Sequence, residues 1–141
     1  MVISEGLRKY PPVGFAQRVC TKETVLPSGL CIEKDTAIVV PIFAFHRDEK
    51  YYPNPELFDP ERFRPDNVSN MNKFTYLPFG EGNRICIGAK QARLQMKAGL
   101  TWLLRHYTLA EQKPPVVKLE RSAFGLKDSR ALYDLIPRNI I

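Results

Sequence analysis

Cys86 lies in the string Pro78-Phe79-Gly80-Glu81-Gly82-Asn83-Arg84-Ile85-Cys86-Ile87-Gly88, two residues after an arginine and just ahead of a helical pattern. A thiol at the head of a helix faces unpaired amides and the positive end of the helix dipole, and both favour the thiolate. The thiolate is the form that ligates metals, and amide hydrogen bonds to the sulfur tune its donor strength. Gly80, Gly82 and Gly88 let the backbone turn sharply and come close to a broad, flat ligand.

Other readings of the same residues stand beside this one. A lone cysteine near a helix start is most often a small core residue. The glycines suggest a phosphate loop, but no Lys-Ser/Thr follows Gly88, and the Gly-x-Gly-x-x-Gly spacing fails at Ile85. Cys20, Cys31 and Cys86 are odd in number and widely spaced, so they form neither a disulfide framework nor a Cys-x-x-Cys zinc site. A reducing compartment is the default for such a chain. His46 and His106 show no ligand spacing.

The elements that must hold this loop are legible as pattern. Met1 to Lys9 reads as a helix that ends at Tyr10-Pro11-Pro12, because a residue before proline is pushed out of the helical region. Residues 16–40 read as short strands, with Pro27-Ser28-Gly29 as a hairpin turn and Ala37 to Val40 as a buried strand. Residues 41–46 suit a short helix. Pro53, Pro55, Pro60 and Pro65 argue against any long regular element over 48–75, yet Tyr51, Tyr52, Phe58, Phe63 and Phe74 predict that this coil is packed. Gly88 to His106 reads as a long amphipathic helix. Ala92, Met96, Gly99, Leu100, Leu103 and Tyr107 form one arc; Lys90, Arg93, Lys97 and Arg105 form another. Residues 107–141 read as short strands and turns.

Composition sets wide bounds. The 141 residues, 44% hydrophobic and 26% charged, suffice for one packed domain. The net charge of +6 suits either a dispersed, solvated surface or an acidic partner. No arginine-rich run or nucleic-acid signature is present, so nucleic acid is not an expected partner. No stretch is apolar enough to span a bilayer. The chain opens inside an apparent helix with no capping residue ahead of it, as expected of a fragment or of a chain whose Met1 is internal.

The Cys86 string resembles the haem-binding signature of the cytochrome P-450 family, Phe-x-x-Gly-x-x-x-Cys-x-Gly, at Phe79, Gly82, Cys86 and Gly88, and at the commonly added Arg84. Asn83 stands where many members carry proline. Glu5 and Arg8 before Tyr10-Pro11-Pro12 resemble the Glu-x-x-Arg of the family's K helix, with Gly6 in place of the usual Thr or Ser. Pro60-Glu61-Arg62-Phe63 matches a further family element.

The resemblance implies a mainly α fold with small β-sheets, the C-terminal part of the cytochrome P-450 fold: K helix, meander, Cys-ligand loop, L helix and C-terminal β-hairpin. It implies that residues 1–141 are a single incomplete domain. It implies haem b with Cys86 as the iron ligand, Arg84 and Arg18 on the propionates, and Phe79, Gly80, Gly82 and Gly88 against the porphyrin. Glu5, Arg8 and Arg62 are implied to form a buried ion triad. Val13, Gly14, Phe15 and Ala16, with Phe124 and Gly125, are implied to line the substrate pocket.

The implied activity is monooxygenation of a small apolar substrate, with electrons from an NADPH-dependent flavoprotein reductase docking near Lys90, Arg93 and Lys97. The implied location is the cytoplasmic face of the endoplasmic reticulum membrane, held by an N-terminal anchor outside this chain. The overall flavour is closest to microsomal xenobiotic-metabolising enzymes of insect type. No oxygen-activating acid–alcohol pair occurs here, so these residues alone are expected to be inactive. Two rivals remain: a non-catalytic haem-binding remnant, and a family member that rearranges peroxides without a reductase.

Overall fold

The computed structural model describes residues 1–110, 120–122, 125–127 and 134–138. Helix α1 spans Val2–Lys9 and stops at Tyr10, whose amide still reaches the Gly6 carbonyl at 2.8 Å before Pro11 breaks the ladder. Strands β1 (Ala16–Val19) and β4 (Ala37–Val40) pair antiparallel, Ala16 opposite Val40 and Val19 opposite Ala37. Between them β2 (Thr24–Val25) and β3 (Cys31–Ile32) form a small hairpin. Its turn closes through Gly29 N–H to Leu26 O, and Gly29 takes the positive φ of 85° that the turn demands.

Helix α2 (Ile42–Phe45) follows β4 directly. The proline-rich stretch then carries a 3-10 turn (Pro60–Phe63), helix α3 (Pro65–Asn70) and a second 3-10 turn (Lys73–Thr75). Helix α4 runs from Ala89 to His106. Strand β5 (Tyr107–Leu109) pairs antiparallel with β8 (Leu135–Pro137), and β6 (Glu120–Ser122) with β7 (Gly125–Lys127). The described residues thus make a mainly α chain with four two-stranded sheets.

Most of the buried residues gather where α1, α2 and the proline-rich stretch meet, with Cys20 apart, beside the β2–β3 hairpin. Leu7, Ile42, Tyr52, Phe63 and Leu77 form the apolar part, and Glu5, Arg8, His46 and Thr75 are buried among them. Tyr52 anchors the stretch by donating its hydroxyl to Thr75 O at 2.9 Å. Burial pushes its phenol above the usual tyrosine range.

Two expectations are corrected. Ala37 to Val40 is a strand but not a buried one: its first three residues are exposed and Val40 is half-buried. Its apolar run is that of a strand covered on both faces, but among the described residues it has one partner strand. Residues 48–75 are less irregular than expected. Pro60 and Pro65 occupy the first turn of short helical segments, where a missing N–H costs nothing, so these prolines start elements as well as limit them. The apolar arc of α4 is partly withdrawn from solvent. Ala92, Met96, Leu103 and Tyr107 are half-buried, whereas Gly99 and Leu100 are exposed.

Candidate functional site

The site is built on a buried polar knot. Arg8 holds Glu5 in a two-pronged pair, Nε to Oε2 at 2.7 Å and Nη2 to Oε1 at 2.9 Å, and both side chains are fully buried. The remaining guanidinium hydrogens go to backbone: Nη1 to His46 O at 2.7 Å, and Nη2 to Pro55 O at 2.7 Å and Leu57 O at 3.3 Å. Arg8 also lies over the Tyr52 ring, 5.2 Å from its centroid. Glu5 Oε1 accepts from the Asp59 amide at 2.8 Å and lies 3.7 Å from Arg62 Nε. Arg62 donates Nη2 to Asn54 O at 3.0 Å. Glu5, Arg8 and Arg62 therefore meet in one place. A buried charge pair of this kind needs such backbone partners to hold; Glu5 and Arg8 have them, whereas Arg62 Nε is buried with no hydrogen-bond partner among the described residues and faces Glu5 only as an ion.

His46 is part of the knot, although nothing in the sequence around it assigns it a role. Its Nε2 accepts from the Leu77 amide at 2.8 Å, so the ring proton lies on Nδ1, which donates to Arg8 O at 3.0 Å. Tyr76 stacks on the imidazole with centroids 5.5 Å apart, and Tyr52 meets it edge-on at 6.4 Å. Burial, aided by the charges of Arg8 and Arg47, holds the imidazole pKa down to about 4. The Tyr76 hydroxyl donates to Ser4 O at 3.0 Å, and burial pushes that phenol up to about 12. No local signal marks His46, because its partners are 38 and 31 residues away.

Leu77 opens the loop that carries Cys86. Its carbonyl accepts from the Gly80 amide at 3.1 Å, and Gly80 and Gly82 take φ values of 74° and 77°. A Cβ at either would be strained by that backbone alone. The loop then folds back: Ile85 N–H reaches Gly82 O at 3.1 Å, and Cys86 N–H reaches Phe79 O at 2.8 Å. Ala89 N–H to Cys86 O at 3.2 Å leads into α4, with Gly88 as its cap residue. Cys86 is a free, exposed thiol flanked by exposed Ile85 and fully exposed Ile87. Arg84 is exposed, and its guanidinium has no partner among the described residues. Phe79 is half-buried beneath Arg93, whose guanidinium lies 5.4 Å from the ring centroid.

A cleft of about 450 Å³ joins the first sheet to this loop. Ala16 and Arg18 of β1 line it opposite Phe74, Gly80 and Glu81. Arg18 is exposed and donates to its neighbour's carbonyl, Gln17 O, at 2.7 Å. Of the residues expected to line a substrate pocket, Ala16 borders this cleft, whereas Val13, Gly14 and Phe15 do not. Val13 and Phe15 are exposed, and Gly14 O accepts from the Phe43 amide at 2.9 Å. Phe124 lies outside the described residues, and Gly125 begins β7. Lys90, Arg93 and Lys97 are exposed along α4. Arg93 and Lys97 also line a groove of about 790 Å³ with Ser4, Pro60 and Glu61.

A cysteine loop turned by two glycines stands at the head of a long helix, before a buried ion cluster and beside small sheets, and the fold that carries it is P450-like. The solved structure of retinoic acid-bound cyanobacterial CYP120A1 shares it with a TM-score of 0.83 and 32% identity, over 97% of this chain and 32% of that one. The chain belongs to the cytochrome P450 family, whose description it matches over residues 1–135. It is 45% identical over 130 residues to cytochrome P450 9e2 of Blattella germanica, covering 89% of this chain and 24% of that protein. It is 44% identical over 126 residues to cytochrome P450 3A13 of Mus musculus, covering 89% and 25%. The chain thus spans about a quarter of the length of these curated relatives. The near-equal identities to a cockroach and a mouse protein do not single out an insect subgroup. Among the described residues, no helix is long and apolar enough to cross a membrane.

Proposed function

We infer that this chain is the proximal part of a haem-thiolate monooxygenase, one portion of a single larger domain, with Cys86 as the axial ligand to iron. The observation that carries this reading is the Cys86 loop itself. A free, exposed thiol stands among exposed apolar side chains, on a backbone turned by two glycines at positive φ. Such a surface suits a flat, largely apolar group whose metal would take one sulfur ligand from the protein. Gathering three or more His, Cys, Asp or Glu side chains is not required for that, and no such cluster occurs among the described residues. Exposed Arg84, and Arg18 at the cleft edge, suit the two carboxylates of haem b. Gly80, Gly82 and Gly88 permit close approach, and Phe79 presents a ring held from behind by Arg93.

When bound, haem iron supplies activation of O2 and insertion of one oxygen atom into an apolar substrate, with a thiolate ligand favouring O–O cleavage, for which this family is the type case. The chain's own residues position that chemistry. The Cys86 amide is tied to Phe79 O, which fixes the backbone that carries the sulfur at the entry to α4. The Glu5–Arg8–Arg62 cluster anchors the proline-rich stretch behind the loop. Ala16, at the edge of the cleft beside the loop, borders the substrate side. Lys90, Arg93 and Lys97 offer positive charge to an acidic flavoprotein reductase, through which NADPH supplies electrons. The enzyme is of the microsomal type, on the cytoplasmic face of the endoplasmic reticulum membrane.

The test is spectroscopic. The haem-loaded full-length protein carrying this chain, reduced and bound to CO, should show the red-shifted Soret band of thiolate ligation. Cys86→Ala and Cys86→His should lose that band. Retention in Cys86→Ser together with loss in Cys20→Ser or Cys31→Ser would assign the ligand elsewhere.

A further inference from the structure

Two routes lead from the buried ion pair toward the cysteine loop. One runs through the proline-rich stretch that Arg8 and Glu5 grip at Pro55, Leu57 and Asp59. The other is short and passes through a single side chain. Arg8 O accepts from His46 Nδ1, and His46 Nε2 accepts from Leu77 N–H. Leu77 O accepts from Gly80 N–H, and one residue before Gly80, Phe79 O accepts from Cys86 N–H. The peptide units in this relay belong to α1 and to the loop, while His46, at the end of α2, touches both.

The contact is reciprocal and enclosed. Arg8 Nη1 donates to His46 O at 2.7 Å while His46 donates back to Arg8 O, so the two residues are locked by a pair of bonds. His46 is fully buried, with Tyr76 on its face and Tyr52 at its edge. A buried amide such as Leu77 N–H must find an acceptor, and His46 Nε2 is the one it has. Core packing alone does not require an imidazole with one nitrogen donating and the other accepting.

We propose that His46 is a positioning residue for the Cys86 loop, coupling the buried Glu5–Arg8 pair to the loop's first amide and thereby setting where the Cys86 sulfur stands. This rests on the reading of Cys86 as the haem ligand. His46 touches neither haem nor substrate; it acts through Leu77. Its two nitrogens have separable jobs. The amide of an asparagine reproduces the position of Nδ1 and leaves the Leu77 amide unanswered. The amide of a glutamine reproduces the position of Nε2 and can accept from Leu77.

The experiment uses the haem-loaded full-length protein, reduced and bound to CO, with the ratio of thiolate to non-thiolate Soret bands as the readout. His46→Asn should shift that ratio toward the non-thiolate form about ten-fold, the scale of an orphaned buried amide. His46→Gln should restore most of it. Tyr76→Phe, which removes only the hydroxyl bonded to Ser4 O, is the stability control and should lower thermal stability without moving the ratio. An unchanged ratio in His46→Asn overturns the proposal. Equal loss in the Asn and Gln variants also overturns it, by making His46 a packing residue. Absence of the thiolate band from the parent protein removes the ligand assignment, and this inference with it.

Discussion

Glu5-Gly6-Leu7-Arg8 and Glu61-Arg62-Phe63-Arg64 spell the same Glu-x-x-Arg spacing, and each forms an ion pair across it. The first pair has both side chains at 0% exposure; the second has them at 58% and 54%. Arg8 spends its remaining hydrogens on His46 O, Pro55 O and Leu57 O, and Glu5 accepts from Asp59 N–H. Among the described residues the Arg64 side chain bonds only Glu61, through Nε at 2.7 Å and Nη2. One spelling therefore makes the centre of a core and the other a solvated surface pair. The difference lies in the backbone carbonyls that the proline-rich stretch brings to Arg8, not in the pair.

That contrast is sharpened by substitution. Arg8→Ala or Glu5→Ala in the full-length protein should cost roughly 3–5 kcal/mol, because each leaves a buried charge without its partner. Denaturation and haem content are the measurements, and near-wild-type values in both variants would make the buried pair no more important than the exposed one.

The next effect is one of pH. The folded His46 titrates at about 4 against an ordinary value of 6.5, so the unfolded chain binds more protons between those values. Its contribution to stability is complete above about pH 6.5 and is lost as pH falls toward 4, amounting to about 3 kcal/mol in all. His46→Gln should flatten that part of the stability–pH curve. A curve of the same slope in the variant would place the acid sensitivity elsewhere.

Smaller effects belong to the edge of the knot. Asp59 accepts from Glu61 N–H with its side chain while giving its own amide to Glu5. Asp59→Ala removes only the first bond and should cost about 1 kcal/mol in a melting experiment. Arg64→Ala, at the exposed pair, should stay within about 0.5 kcal/mol of the parent. A loss at Arg64 as large as that at Arg8 would erase the distinction between the two pairs.

The legible part of this molecule is the part written locally. The 3.6-residue repeat marks α4 to within a residue of Ala89–His106, and the prolines at 11 and 12 mark the end of α1. The cysteine loop is legible because glycine, arginine and cysteine spacing is itself local. What is not legible depends on partners far along the chain. His46 follows an apolar run and carries no mark of the Arg8 carbonyl or the Leu77 amide that it joins. Ala37 to Val40 spells a buried strand, yet burial depends on what packs against it. Arg18 and Gly80 share a cleft only because the fold brings β1 to the loop.

We infer that the exposed thiol of Cys86 holds the haem iron and that the buried knot behind it keeps the loop in place. The CO-bound, reduced spectrum of the haem-loaded full-length protein, parent against Cys86→Ala, tests it most directly. The parent should show the thiolate Soret band and the variant should lack it while keeping its fold. Persistence of that band in Cys86→Ala would assign the iron ligand to another residue.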